Sequence, residues 1–262
     1  MTSFLCKACG TQLAESSAPP PECPICTDDR QYVPTEGQEW VTYDDVRSSH
    51  CADIREAQPE LTGIGMKPAF AIGQRALLVE SQGGNVLWDC VPLLDDMASF
   101  VEARGGLRAI AISHPHYYST MIEWAHRFEC PVLIHQLERE WVQRPDASVE
   151  LWSGDVRELW DDLTLLRLGG HFPGGQVLHW RSGDALLSGD IVQVLPGSRR
   201  VSFMYSYPML LPLPAREVEQ IATALEPWEF DRIYGAWWGR VVASDGKDVV
   251  RRSAARYLRA LA

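Results

Sequence analysis

Residues 107–119 read LRAIAISHPHYYS: an apolar run, Leu107–Ser113, that leads straight into two histidines, His114 and His116. A short apolar run bounded by turn signals predicts a buried strand. Alternate residues of an extended chain share a face, so an HxH at the strand end sends both imidazoles to one side. A lone histidine is more often a hydrogen-bonded core residue than a ligand; two on one face are a different pattern. Two later stretches each add one ligand-type side chain in a glycine turn. Gly169-Gly170-His171 follows the apolar run Leu163–Leu168, and Ser188-Gly189-Asp190 follows Ala185–Ser188. Turns of this kind let side chains from separate strands converge on an ion.

Outward from these motifs the chain alternates short strands and helices. Residues 69–80 (AFAIGQRALLVE) predict two strands broken at Gly73-Gln74, and residues 85–90 (NVLWDC) a third ending near Asp89. A helix is expected over 95–104, and another over TMIEWAHRF, opened by Ser119 as N-cap residue or by a Thr120-x-x-Glu123 capping box. Further strands follow at Pro131–His135, Gln176–Trp180 and Arg232–Tyr234, with helices over 215–225 and at the C-terminus. No repeat of fixed period is present. Hairpin-paired strands followed by strands alternating with helices predict an α/β (α+β) fold with two sheets in a sandwich and helices outside.

The N-terminal 42 residues have a different character. Cys6-Lys-Ala-Cys9-Gly and Cys23-Pro-Ile-Cys26 are two CxxC knuckles separated by 13 residues. Each turns two thiolates onto one ion, and the pair completes a tetrahedral sulfur site. The insert (TQLAESSAPPPE) is too poor in apolar residues to make a core, so an ion is expected to supply most of this module's folding energy. The boundary with the larger domain is placed at residues 42/43. The pattern resembles zinc ribbons and, equally, rubredoxin-type knuckles; tetrahedral sulfur accepts zinc or iron.

Composition limits the partners. With 262 residues, 46% apolar and 23% charged, the chain is an ordered globular protein. Its net charge of −11 argues against a nucleic-acid backbone as partner. No apolar run reaches membrane-spanning length. The first ten residues lack a secretory n- and h-region, so a cytoplasmic location is the expectation. There, seven cysteines mean ligands or free thiols rather than disulfides.

The order strand-HxH, GGHFPGG, LLSGD, with NVLWDC before them, resembles the metallo-β-lactamase superfamily, including hydroxyacylglutathione-hydrolase-like enzymes, over roughly residues 60–240. The resemblance implies an αββα sandwich with a metal-dependent hydrolase site. It assigns His114, His116 and His171 to the first metal site and Asp190 to the bridge between two. Ligands of the second site are missing. Tyr118 and Ser119 stand where the family pattern has Asp and His, and the late histidine falls within Tyr234-Gly235-Ala236-Trp237-Trp238-Gly239, which has none. The expectation is one ion held by His114, His116, His171 and Asp190. Zinc is preferred, with iron an alternative at either site, and two ions are expected per chain.

The implied activity is hydrolysis of a small ester, thioester or lactone by a mononuclear zinc-bound hydroxide. Asp190 would accept a proton and Tyr118 would donate a hydrogen bond to the developing oxyanion. Tyr205, Tyr207, Trp237 and Trp238 are candidates for lining the substrate pocket. Partners are a small-molecule substrate and, optionally, a second copy in a homodimer. Two other readings stay open: an inactive binding or scaffold protein on this fold, and a redox protein with rubredoxin-like iron.

Overall fold

The structure, a computed structural model, describes residues 2–197 and 199–262. It forms two compact units, Met1–Trp152 and Ser153–Ala262.

The first unit is built on a seven-stranded sheet. In spatial order its strands are Cys51–Gln58, Leu61–Lys67, Ala76–Val79, Val86–Trp88, Ala109–Ala111, Val132–His135 and Val149–Trp152. The first three pairings are antiparallel hairpins and the last three are parallel. Parallel strands need crossovers, and the helices Asp95–Glu102 and Met121–Phe128 lie in two of them. Val86–Trp88, Ala109–Ala111 and Val132–His135 are buried along their whole length, as expected of strands covered on both faces.

Several local expectations change here. Residues 69–75 form no strand; a turn closes with Gly73 N–H donating to the Phe70 carbonyl, and only Ala76–Val79 extends. Leu61–Lys67 carries Gly63 and Gly65, poor strand formers, yet it is a strand because neighbours pair along both of its edges. The N-cap of Met121–Phe128 is Thr120, not Ser119, and no capping box forms. The Thr120 hydroxyl instead accepts from the Leu93 amide, and Glu123 binds Arg144 and Gln12. Long-range partners outcompeted the local cap. A capping box does occur at Thr42 and Asp45, opening the helix Tyr43–Ser49.

The N-terminal segment is tied into this unit. Phe4–Cys6 pairs antiparallel with Trp40–Thr42, and the Gln12 amide donates to the Ser119 carbonyl.

The second unit has a six-stranded sheet in the order Val156–Glu158, Leu163–Arg167, Gln176–Trp180, Ala185–Gly189, Arg232–Gly235, Val241–Val242. All neighbours are antiparallel except Ala185–Gly189 with Arg232–Gly235. The helices Ala215–Leu225 and Gly246–Leu261 seal the sheet through Val218, Ile221, Leu225, Val249, Val250 and Ala254, which pack with Leu186 and Ile233. Among the described residues no helix is long and apolar enough to cross a membrane.

Candidate metal centres

The two knuckles bring four free cysteines together. Sγ of Cys6 lies 3.4 Å from that of Cys26, Cys9 and Cys23 stand 3.7 Å apart, and all four sulfurs fall within 4.8 Å. Sulfurs bound at ~2.3 Å around one tetrahedral ion stand ~3.8 Å apart, so the residues fit such an ion. Matching turns make the cradle: the Gly10 amide donates to the Cys6 carbonyl and the Thr27 amide to that of Cys23. Gly10 has φ +82°, which only glycine adopts without strain. Cys6, Cys9, Cys23 and Ile25 are buried, with Trp40 and Trp141 packed against them. Burial pushes the Cys9 thiol well up, while hydrogen bonds from Cys26, Cys6 and Cys9 pull Cys23 down. Four thiolates this close repel one another, so all four ionise together only around a cation that offsets their charge.

In the same unit His114 and His116 are both buried, with ring centroids 4.9 Å apart. The strand has ended at Ala111, and a 3-10 turn, Pro115–Tyr117, carries His116. The histidines therefore converge by a turn and not by the alternation of a continuing strand. Asp89, at the end of the parallel neighbour, fixes that turn: its Oδ1 accepts from the Ser113 amide at 2.7 Å. The Ser113 hydroxyl contacts His114 Nδ1 at 3.0 Å, which directs Nε2 away from Ser113.

The second unit holds His171 and Asp190, also buried, with ligand atoms within 4.8 Å of each other. His171 Nδ1 lies 2.6 Å from the Tyr205 carbonyl, an acceptor, so the proton sits on Nδ1 and Nε2 is the nitrogen that would meet an ion. Gly170, before it, has φ +79°, and a Cβ there would meet Ile221 at 2.9 Å; the loop reaches the helix so closely because this residue has no side chain. Asp190 follows Ala185–Gly189, and the Gly189 carbonyl accepts from the Ala236 amide.

The remaining candidates fall in different places. Tyr118 is fully buried, and its hydroxyl donates to the Glu138 carbonyl at 3.3 Å; burial pushes its pKa well up. Tyr207 packs against the His171 ring at 5.5 Å and donates to the Asp190 carbonyl at 2.9 Å. Tyr205 contributes its backbone. Trp237 and Trp238 are half-buried in the loop after Arg232–Gly235. Of the other histidines, His179 donates from Nε2 to the Glu229 carbonyl and His126 pairs with Asp146. The sequence reading did not single out the positioning roles of Ser113, Asp89 and the Tyr205 carbonyl. Asp89 carried a signal, as an acidic residue closing an apolar strand; a backbone carbonyl carries none.

No family model matches the chain. It is 45% identical over 268 residues to the uncharacterized protein YmaE of Bacillus subtilis strain 168, covering 100% of this chain and 97% of that one. Among solved structures it resembles the metallo-β-lactamase FIM-1 from Pseudomonas aeruginosa in its mono-zinc form, with TM-score 0.57 and 11% identity over 78% of this chain and 95% of that one. It also resembles TTHA1623 in a di-iron-bound form, with TM-score 0.51 and 21% identity over 71% and 94%. The chain has the metallo-β-lactamase fold and belongs to the same family as YmaE.

Proposed function

We propose that this chain is a metal-dependent hydrolase of a small ester, thioester or lactone. In this reading His114, His116, His171 and Asp190 hold one catalytic ion and the four cysteines a second, structural one. The observation that carries it is the pair of half-sites. Each unit buries two ligand-type side chains with ligand atoms within 4.8 Å, at the four positions the family resemblance assigns to a first metal site. Three imidazoles and a carboxylate suit zinc and also accept iron; of the proteins with this fold, FIM-1 is seen in a mono-zinc form and TTHA1623 in a di-iron-bound form.

An ion held there supplies Lewis acidity toward a carbonyl oxygen and brings the pKa of a water toward neutrality. The protein's part is placement. The Tyr205 carbonyl and Ser113 hydroxyl fix His171 and His114, and Asp190 takes the proton released by the attacking water. Tyr118 exchanges its Glu138 partner for the developing oxyanion. Trp237 and Trp238 keep bulk water out. Without a second cation to hold an anionic group, carbonyl substrates are favoured over phosphodiesters.

The test is elemental analysis together with an ester, thioester and lactone panel on zinc-loaded and chelator-stripped protein. Two ions are expected per chain. His116→Ala and Asp190→Ala should each lose the same single ion and all turnover. Equal activity, or equal inertness, of the loaded and stripped preparations would exclude the reading.

A further inference from the structure

The hairpin that follows Asp190 breaks two local rules at once. Met204–Ser206 pairs antiparallel with Leu211–Pro212, and the turn between them is closed by the Leu210 amide donating to the Tyr207 carbonyl. Its turn carries Met209 and Leu210, exposed by 59% and 78%, and Leu211, which opens the second strand, is exposed by 42%. Leu210 adopts φ +54°, a region where a turn ordinarily takes glycine or asparagine. A leucine there bears the strain of a left-handed backbone and gains no burial. Sites where both propensity and patterning are violated are where function is expected to have overridden them.

The base of the same hairpin is joined to both ligands of its unit: the Tyr205 carbonyl accepts from His171, and Tyr207 donates to Asp190. Leu210 stands three residues beyond Tyr207, within roughly 11 Å along the chain. Three side chains cannot supply the roughly 800 Å² per partner of a stable dimer interface, but they are enough for an aliphatic chain.

We propose that Met209, Leu210 and Leu211 bind the apolar part of the substrate, making a medium-chain aliphatic acyl ester or thioester the preferred class. This rests on the hydrolase reading and narrows it. The tyrosines at the base position the ligands, and the aliphatic tip selects the chain.

The test uses non-hydrolysable carbonyl analogues, the methyl ketones from 2-hexanone to 2-undecanone. Their binding to the zinc-loaded full-length protein is measured by calorimetry. Affinity should rise by up to about fourfold per methylene, and Leu210→Ser and Met209→Ser, checked for folding by circular dichroism, should flatten that slope. Absence of any length dependence, or a slope that survives both substitutions, overturns the proposal. So does concentration-dependent self-association that Leu210→Ser abolishes, which would give the tip to a second copy. Turnover of the matching 4-nitrophenyl esters is followed in parallel. Length-dependent ketone binding without ester turnover removes the hydrolase reading and leaves the binding surface standing.

Discussion

Tyr207→Phe isolates the link between hairpin and metal centre. The substitution removes one oxygen and keeps the ring that packs 5.5 Å from His171, so the apolar contact survives. What is lost is the 2.9 Å hydrogen bond to the Asp190 carbonyl. A net hydrogen bond contributes about 0.5–1.5 kcal/mol, which for a chain of this size lowers Tm by about 1–6 °C. If the bond also fixes the Asp190 turn for ligation, metal affinity should fall by about 10–100-fold, as for other partners that orient ligands. Tyr257→Phe is the control. Its hydroxyl also donates to a buried carbonyl, that of Leu213 at 3.3 Å, on an element bearing no ligand. It should cost similar stability and leave metal affinity unchanged. Cobalt(II) titration reads the two centres separately, because only the four-thiolate site gives intense sulfur-to-metal absorption. If Tyr207→Phe loses stability but keeps wild-type affinity for the second cobalt ion, or if both variants weaken it equally, the positioning argument fails.

Cys23→Ser should lower the metal content by one ion and expose the N-terminal 42 residues to protease, leaving the sheet of the first unit intact; retention of both ions would refute the four-sulfur site. Tyr118→Phe should lower kcat by ~10²–10³ if its hydroxyl reaches the oxyanion. A loss of stability at unchanged kcat would return Tyr118 to the core, held by Glu138. His179 supplies a pH dependence. Burial lowers its pKa below the ordinary 6.5, so as pH falls through 6.5 the unfolded chain takes up a proton that the folded one does not. Stability is therefore retained above that value and lost progressively below it. Denaturant midpoints from pH 8 to 5 should fall less steeply in His179→Gln, and an identical slope would count against the assignment.

Much of this was already legible in the chain. The largely apolar runs at 107–113, 163–168, 176–180 and 185–188 announced strands because such short runs between turn signals are too brief for a buried helix. Glycines at 169, 170 and 189 marked the turns that carry His171 and Asp190. The doubled CxxC marked the four cysteines whose sulfurs come together, since spacing within a knuckle is a local constraint. What stayed hidden depended on partners remote in sequence. Leu61–Lys67 became a strand despite two glycines because strands on both sides hydrogen-bond to it. Thr120 and Glu123 matched a local capping box, but Leu93, Arg144 and Gln12 offered them better partners. The sequence alone thus determined which residues are ligand candidates and on which kind of element they sit. Only the tertiary structure decided how they are held: His116 on a 3-10 turn pinned by Asp89, and His171 oriented by a carbonyl 34 residues away. Ligand identity is a property of side-chain chemistry and near spacing, whereas ligand orientation comes from hydrogen bonds that exist only after the chain has closed on itself.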